Sequence, residues 1–492
     1  MIRSSPARKI AAAAVLIIAL LYPIVPQTAW TSAAAPVAVT RLRIGVVTDG
    51  IVRLTPADLT AAGVSVASVD PGTFALSSQG QSVALHVTGG SNGHFNTGDS
   101  IEFFGQRFRG AEMDQKYTDE NVYWLDFGGT PGPRIPEVSA APQNNLTPPA
   151  SFATTVHAEQ NMLWWPLHGL DLDTQDTWFW DRLQPLGAGQ GLTHTLTYTV
   201  PDPAAGYTAT LRLEEVSRAI DSPHRTTIGL NGTLLDSEAW FGKVRQVFST
   251  GLPAGLLVSG TNGVTVGALN EPAVAAAGQA LPGGQPSAEM RDLLLRQASG
   301  LLAEPGADPA SLLRAQGITS DAIYANYWEV DYRRQFRAWQ DQLDFRAETT
   351  GAAEYVTTNW ASAATGIWDV SNPLLPRKLT GAVSSADGAT RTALRFRASP
   401  QAGDRFWLQA ESAYAAPTSL RRRPPTDLRS PAGGADAVIV TPASLRPAAE
   451  QLAAWHLAHG RRVLVADAQD VYDEFNNGIF HPKAIQAMLI WA

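Results

Sequence analysis

Two short patterns in this sequence have the spacing of catalytic or phosphate-binding loops. Gly89-Gly90-Ser91-Asn92-Gly93 has the G-x-S-x-G spacing that presents a serine nucleophile between a strand and a helix. Turn-like residues follow it instead of a helix, so we predict a hairpin loop. Gly187-Ala188-Gly189-Gln190-Gly191 resembles a phosphate cradle, but no βαβ pattern follows, so we predict a flexible loop.

Two further patterns are typical of metal ligands. Asp171, Asp173 and Asp176 suggest a calcium loop, but the spacing lacks the third ligand position and the glycine of an EF-hand loop. His456 and His459 lie three residues apart on a predicted helix, without the glutamate of the metalloprotease arrangement. We interpret the carboxylates as loop residues, with calcium as the alternative, and the histidines as surface or packing residues.

Thiol chemistry is excluded within these residues because the chain has no cysteine. Disulfides and thiolate metal sites are excluded for the same reason. The sequence therefore assigns no catalytic, cofactor-binding or metal-binding residue, and we expect no cofactor.

Composition restricts the binding partners. The 492 residues include 37 Lys and Arg against 45 Asp and Glu, a net charge of −8. This balance argues against binding to nucleic acid or to an anionic membrane surface, since both need basic patches. Hydrophobic residues make up 45% of the chain, enough for several packed cores.

Tryptophan is unusually frequent, with 14 residues in the chain. Five of them fall in one predicted β region: Trp164, Trp165, Trp178, Trp180 and Trp240. We predict that they are core residues, because a β region without cysteine has no disulfides and needs large buried side chains. A platform on which sugar rings stack is the alternative.

Residues 1–35 have the features of a secretory signal peptide. Arg3, Arg8 and Lys9 precede an apolar run at 10–25, and small residues surround Ala35. The alternative is an uncleaved anchor, but the run is shorter than the roughly 20 residues that span a bilayer. We predict export to a secreted or cell-surface location, with no further membrane segment.

After the signal peptide, short alternating strands separated by turns continue to about residue 420. Residues 37–150 are predicted to form an N-terminal β domain. Within it, Thr55 is expected to cap a short helix that has Pro56 at its first position.

Residues 151–345 are predicted to form a jelly-roll-like β sandwich with a partly helical insertion at 271–320. Its strands include 192–200, in which threonines alternate with four apolar residues and His194, and 324–336. Residues 346–420 are predicted to form a small Ig-like sandwich. The predicted fold class up to this point is therefore mainly β.

Residues 421–434 are rich in proline, glycine and polar residues, and are predicted to be a linker. The linker begins with the basic triplet Arg421-Arg422-Arg423. We interpret this triplet as a solvated hinge, with an accessible processing site as the alternative.

Residues 435–492 change to an α/β pattern. Residues 437–441 are a continuous apolar run, typical of a parallel strand that is buried on both faces. Ser444 is predicted to cap a helix, a second buried strand follows at 462–466, and Pro482 begins a final helix. The apolar positions of the first helix are Leu445, Ala448, Leu452 and Trp455.

This α/β segment, 435–492, is too small to cover its own apolar surfaces. A parallel sheet needs both faces covered, and two strands with two helices cannot supply that cover. The chain is therefore either a fragment of a longer protein or a chain whose last segment docks on the β domains. We favour the fragment.

Three passages carry a family resemblance: 117–125, with the sequence YTDENVYWL; 327–334, YWEVDYRR; and a third that joins 435–441, 452–455, 471–478 and 482–485. Their order and spacing are similar to those of secreted gingipain-like cysteine peptidases. The first passage resembles their N-terminal region, the second a late strand of the sandwich that follows, and the third the opening of their catalytic domain.

The resemblance implies that 435–492 is the first βαβ unit of an incomplete caspase-like α/β domain, which cleaves peptide bonds with a His/Cys pair. In that family both catalytic residues lie at the ends of later strands, beyond the matched region. No catalytic residue is therefore carried over, and the chain as given is predicted to be inactive. Protein or peptide substrates are the partners expected of the full-length endopeptidase.

Two other functions stay open. One is a non-catalytic cell-surface module whose sandwiches bind glycans or protein partners. The other is a processing or transpeptidase component of a secretion system with the same architecture. A His and then a Cys at strand ends after residue 492 would support the peptidase, whereas a stop codon after codon 492 would support the binding module.

Overall fold

The computed structural model describes the residues 40–110, 112–115, 117–165, 176–185, 191–218, 223–270, 322–430 and 434–492, together with a strand at 18–20. Most of the predicted signal peptide, Asp171 and Asp173, most of the glycine loop at 187–191, and the predicted insertion at 271–320 lie outside these residues. No helix in the described part of the chain is long and apolar enough to cross a membrane.

The chain divides into two compact units. Unit 1 comprises Met1–Asn144, Gln340–Asp344 and Trp360–Ala492, and unit 2 comprises Asn145–Trp339 and Phe345–Asn359. This division is coarser than the predicted domains, whose boundaries stay predictions.

Strands far outnumber helices among the described residues, which confirms the mainly β fold class. The strands are β1 (Ile18–Leu20), β2 (Thr40–Val46), β3 (Gly50–Leu54), β4 (Ala75–Ser78), β5 (Gln81–Val83), β6 (His86–Thr88), β7 (Ser100–Gly105), β8 (Asn121–Phe127), β9 (Glu137–Ser139), β10 (Ser151–Glu159), β11 (Leu163–Trp164), β12 (Trp178–Phe179), β13 (Asp181–Leu183), β14 (Gly191–Val200), β15 (Ala209–Ser217), β16 (Pro223–Leu230), β17 (Thr233–Phe241), β18 (Arg245–Leu252), β19 (Gly260–Asn270), β20 (Ile323–Gln335), β21 (Gln342–Arg346), β22 (Ala353–Trp360), β23 (Thr365–Asp369), β24 (Arg377–Thr380), β25 (Val383–Asp387), β26 (Arg391–Ala398), β27 (Arg405–Ala410), β28 (Ser419–Arg422), β29 (Ala437–Thr441) and β30 (Val463–Asp467). The α-helices are α1 (Pro56–Ala61), α2 (Glu112–Gln115), α3 (Arg446–Ala458), α4 (Ala468–Phe475) and α5 (Lys483–Trp491).

The N-terminal part of unit 1 packs a five-stranded sheet, in the order β28-β2-β8-β4-β5, against the three-stranded sheet β3-β7-β6. Apolar side chains of both sheets form one core, among them Ile44, Leu54, Phe103 and Leu125. We call this part the N-terminal β region.

Thr55 caps α1 as predicted. Its hydroxyl accepts a hydrogen bond from the Asp58 backbone, and the Asp58 carboxylate accepts one from the Thr55 N–H at 2.7 Å, which completes a capping box. Pro56 stands at the first helical position because its missing N–H costs nothing there.

A further sheet of unit 1 contains the neighbours β27-β23-β24-β9. Trp368 and Trp407 of this sheet pack in one core with Ile51 and Phe104 of the N-terminal β region. The strands after residue 360 therefore share apolar packing with the first strands of the chain.

Unit 2 is built around two antiparallel sheets, β10-β20-β15-β18 and β14-β19-β16-β17. Side chains of both sheets meet in one core that includes Leu196, Leu213, Val266 and Trp328. This face-to-face packing confirms the predicted sandwich. Asn231 and Gly232 have positive φ angles of 49° and 83° and turn the chain from β16 into β17, as their sequence predicts.

The α/β segment forms the predicted βαβ unit, in which β29 and β30 pair in parallel and all five residues of β29 are buried. Strand β1 pairs antiparallel with β29.

The prediction that Ser444 caps the first helix is wrong. Ser444 lies in a 3-10 turn at Ala443–Leu445, and α3 begins only at Arg446 without a side-chain cap. The physical reason is Pro447, which favours the first helical turn and so shifts the start of α3 past the serine. Helix α4 begins at Ala468, where Asp467 caps it by accepting a hydrogen bond from Gln469 N at 2.8 Å.

Candidate functional site

The G-x-S-x-G sequence is a hairpin loop, as predicted. It lies between β6 and β7, which pair antiparallel, and Ser91 is exposed. Because no helix follows this serine, the geometry of a nucleophile elbow is not formed.

Of the other predicted candidates, Asp176 and the two histidines lie in the described part of the chain, and they do not come together in one site. Asp176 accepts a hydrogen bond from the Trp178 backbone at 2.9 Å, and His459 is exposed with its ring 4.2 Å from that of Trp455. Among the described residues, no group of three His, Asp or Glu side chains is placed to hold a metal ion.

The five tryptophans of the sandwich divide into different environments. Trp180 and Trp240 are buried, in agreement with the core prediction, whereas Trp164 is 61% exposed and contradicts it. Trp165 stacks on the Tyr324 ring with centroids 4.4 Å apart and planes inclined by 7°. Burial alone therefore does not account for the whole cluster.

One serine–histidine pair, which the sequence analysis missed, is buried in unit 2. Ser217 Oγ lies 2.9 Å from His224 Nε2, and both side chains are enclosed. The two residues lie on β15 and β16, whose alternation gives no sign of this pairing. A substrate cannot reach a serine buried in this way, so we assign the pair to structure.

The site with the strongest link to the family resemblance is the contact between the N-terminal β region and the α/β segment, both in unit 1. Here the structure brings together the first and the third of the resembling passages. The turn after α4, Asn476-Asn477-Gly478, contacts strand β8, which carries most of the passage 117–125. We call this contact the docking site.

The docking site has an apolar centre. Ile479 is only 3% exposed and packs with Phe108, Val122 and Trp124 in one buried cluster. Gly478 lies so close to this surface that a Cβ atom on it would be 2.8 Å from Val122 Cγ1 and 3.0 Å from Trp124 Cζ2. Glycine is also suited to this position because its φ angle is 88°.

Hydrogen bonds from the β region satisfy the carbonyl groups of the turn. The indole Nε1 of Trp124 donates to the Asn477 carbonyl at 2.9 Å. Arg43 donates to the Gly478 carbonyl at 3.2 Å and to the Glu120 carboxylate at 2.8 Å. The guanidinium of Arg43 therefore joins β2, the loop before β8 and the docked turn.

Charged side chains surround this centre on one side. Arg423 forms ion pairs with Asp470 and, at 2.9 Å, with Asp473, which also lies 4.0 Å from Arg43. The carboxylate of Glu474 accepts hydrogen bonds from the backbone of Leu428 and from Thr426 Oγ1, both at 2.9 Å. Helix α4 thereby presents its carboxylates to residues that precede the α/β segment.

A second group of charges surrounds Asp114 of helix α2. Its carboxylate lies 2.7 Å from Lys483 Nζ and 3.1 Å from His481 Nε2, and the His481 ring packs edge-on against Tyr117. The hydrogen bond from Lys483 lowers the pKa of Asp114 below its usual value, and the charge of His481 contributes to the same effect.

Contacts of the basic triplet 421–423 differ from the predicted solvated hinge. Arg421 and Arg422 belong to β28, which pairs with β2, and Arg423 is held by the carboxylates of α4. The structure therefore places the basic triplet in a paired strand and an ion cluster, not in a solvated hinge. Docking on the β strands covers part of the α/β segment, but Leu457 on α3 and Ile490 on α5 stay exposed, so docking does not replace the fragment interpretation.

Sequence reasoning identified neither Arg43 nor Phe108 as a partner of the α/β segment. The available signal was indirect, since 117–125 and 471–478 both carried the family resemblance. Nothing in their local sequence indicates that they touch.

Comparison with known proteins agrees with this resemblance. Residues 430–492 match the sequence model of Peptidase family C25. The chain is similar in fold to the crystal structure of dimeric latent PorU from Porphyromonas gingivalis, with a TM-score of 0.58 and 15% sequence identity, over 92% of this chain and 39% of that one. The chain thus spans well under half of the PorU structure.

Other solved structures share much less. The infectious bursal disease virus Gt strain structure covers 81% of this chain and 65% of its own at 9% identity, with a TM-score of 0.19. A beta-porphyranase of glycoside hydrolase family 86 from Bacteroides plebeius covers 60% of this chain and 35% of its own at 13% identity, with a TM-score of 0.16. No curated protein matches the chain in sequence.

The resemblance to gingipain-like peptidases is therefore confirmed: residues 430–492 match the peptidase family in sequence, and the chain as a whole is similar to PorU in fold. The fold agrees with that of PorU, with mainly antiparallel strands followed by a short C-terminal helical part.

Proposed function

We propose that the chain is the N-terminal part of the precursor of an exported gingipain-like cysteine endopeptidase. The observation that carries this proposal is the match of residues 430–492 to Peptidase family C25, in a segment that folds as a parallel βαβ unit. The similarity of fold to PorU extends the agreement to the β strands that precede this unit.

In this proposal the chemistry belongs to residues that follow residue 492. Peptide cleavage would begin with attack of a cysteine thiolate on the scissile carbonyl, with a histidine beside it as the base. The chain itself contains no cysteine, so its contribution is to support the first strands of the catalytic domain. Proteins or peptides are the proposed substrates.

Export follows from the N-terminal sequence. The basic residues, the short apolar run and the small residues near Ala35 support a cleaved signal peptide. A secreted or cell-surface location is therefore part of the proposal. Because these 492 residues contain no cysteine, their cores must be stable there without disulfides.

The experiment is to read the coding sequence beyond codon 492 and to express the complete gene product. We expect a His and then a Cys at the ends of later strands, and peptide cleavage that disappears when that Cys is replaced by Ala. A matched chain ending at residue 492 serves as the inactive control. A stop codon at position 493, or cleavage that survives the Cys replacement, would contradict the proposal.

The main alternative is a non-catalytic surface module that binds glycans. The exposed indole of Trp164 favours it, because exposed aromatic rings can stack on sugars. Binding of the 492-residue chain to a glycan array, abolished in Trp164→Ala but retained in Trp455→Ala, would support this function. Trp455 is a suitable control because it is 56% exposed on α3.

The transpeptidase alternative uses the same thiolate and differs in the second step. There an amine, instead of water, would attack the acyl-enzyme and form a new amide bond. Assays of the complete gene product with and without a primary amine would separate the two, since only the transpeptidase yields the amine-linked product as its main product.

A further inference from the structure

We propose that the N-terminal β region stays bound to the α/β segment after the chain between them is cut. It would then be a permanent structural partner of the catalytic domain, not a propeptide that cleavage releases. Calling the partner a catalytic domain rests on the proposed function, whereas the retention itself rests on the contacts within unit 1.

The apolar part of the docking site supports retention. Ile479 is buried among Phe108, Val122 and Trp124, which belong to the β region. Separation of the two parts would expose these four side chains to water together. Removal of apolar surface from water is the dominant favourable term in association, so this cluster holds the parts together without a covalent link.

The turn fits the β region closely at its backbone. Asn477 and Gly478 have positive φ angles of 53° and 88°, and their carbonyl groups accept hydrogen bonds from Trp124 and Arg43. Two consecutive residues with positive φ angles are uncommon outside Gly and Asn. The carbonyl groups of this turn accept from Trp124 on β8 and Arg43 on β2. The fit is therefore specific to this turn.

A cut after Ser430 leaves the polar contacts between the β region and helix α4 intact. Arg423, Thr426 and Leu428 all precede that position, and their partners Asp470, Asp473 and Glu474 all lie on α4. A cut after Ser430 therefore breaks one covalent connection and removes none of these contacts. The contacts of Asp114 with His481 and Lys483 also persist.

The test is to insert the recognition sequence of a site-specific protease after Ser430 in the 492-residue chain. The chain is cut to completion and separated by size-exclusion chromatography at about 0.15 M salt, where attraction between exposed charges more than about 8 Å apart is largely screened. We expect the two pieces to elute together. Elution of the smaller piece on its own, or its loss by precipitation, would overturn the proposal.

Two glycine variants identify the docking turn as the cause. Gly478→Ala introduces a Cβ that clashes with Val122 and Trp124, whereas Gly460→Ala meets no atom within 4 Å and has a similar φ angle of 79°. Both variants carry the same type of backbone strain, so only the clash distinguishes them. We expect the cut Gly478→Ala chain to release the smaller piece and the cut Gly460→Ala chain to retain it. Equal retention by both variants would overturn the role of the turn.

A milder variant keeps the test valid if Gly478→Ala fails to fold. Trp124→Phe removes the donor to the Asn477 carbonyl but leaves an aromatic ring in the apolar cluster. The dissociation constant of the two pieces should rise roughly tenfold, whereas Trp164→Phe in unit 2 should leave it unchanged. An unchanged constant in Trp124→Phe would contradict the proposed contact.

Discussion

Trp124 Nε1 lies 2.9 Å from the carbonyl oxygen of Asn477, a residue 353 positions later in the chain. This hydrogen bond connects β8 of the N-terminal β region with the turn after α4. It joins two passages that separately resemble the gingipain-like peptidases. The first prediction concerns its contribution to stability.

Trp124→Phe should lower the free energy of unfolding by about 1–3 kcal/mol, because it removes the hydrogen bond and part of a buried side chain. Urea unfolding followed by circular dichroism measures the change. The control is Trp164→Phe, which alters an exposed indole and should change the free energy by less than about 0.5 kcal/mol. Similar losses in the two variants would show that Trp124 has no special role.

The second prediction concerns pH. Glu215 is completely buried in unit 2 and burial raises its pKa from 4.5 to about 8, while a hydrogen bond from Thr226 acts in the opposite direction. Its other carboxylate oxygen, Oε1, has no hydrogen-bond partner among the described residues. The folded chain therefore keeps the proton over a pH range in which the unfolded chain loses it.

The contribution of Glu215 is fully present below about pH 4.5 and is lost as the pH rises to about 8, with a slope of about 1.4 kcal/mol per pH unit. Glu215→Gln, which stays neutral, should remove this loss and make the protein more stable than the wild type near pH 8. Urea titrations at several pH values test this, with the exposed pair variant Glu450→Gln as the control. Parallel pH profiles of wild type and Glu215→Gln would refute the prediction.

The third prediction is that the 492-residue chain cleaves no peptide by a thiol mechanism. The chain has no cysteine, and acyl transfer by a thiolate needs one. Incubation with a broad peptide library, with and without iodoacetamide, provides the measurement. Turnover that iodoacetamide abolishes would be incompatible with a chain that lacks thiols.

The fourth prediction concerns the apolar side chains that docking leaves uncovered. Leu457 is 62% exposed on α3 and Ile490 is 78% exposed on α5. Exposed apolar surface of this kind favours association between copies, so the 492-residue chain should self-associate at high concentration. Sedimentation velocity should show less association in Ile490→Lys, and less still in the complete gene product if later strands cover these helices.

A matched control for that measurement is Leu234→Lys, because Leu234 is 69% exposed but lies on β17 in unit 2. We expect it to sediment like the wild type. If both lysine variants reduce association equally, net charge and not the surface of the α/β segment is responsible.

Local patterns in the sequence were enough to predict the elements that depend on neighbouring residues. Thr55 and Asp58 form a capping box three residues apart, and Ala437–Thr441 is apolar throughout because a parallel strand is buried on both faces. The turn at Asn231-Gly232 follows from residues that tolerate positive φ angles. Each of these structures is determined within a few residues of the chain.

Three predictions failed because a competing local signal or a long-range contact overrode the pattern. Ser444 has the chemistry of a cap, yet Pro447 moves the start of the helix, and Arg422 has the composition of a hinge but pairs with Leu42 in a sheet. Trp164 and Trp180 are the same residue type in one stretch, and only packing makes the first exposed and the second buried.

The sequence by itself determined the mainly β class, the βαβ unit at the end of the chain, the absence of a thiol and the resemblance to a peptidase family. Only the tertiary structure decided that the turn at Gly478 docks against Val122 and Trp124. Periodicity and capping report the burial of a residue and its nearest neighbours, but they do not specify which surface covers it. That choice depends on the path of the backbone over hundreds of residues, which brings distant donors and apolar side chains to the same place.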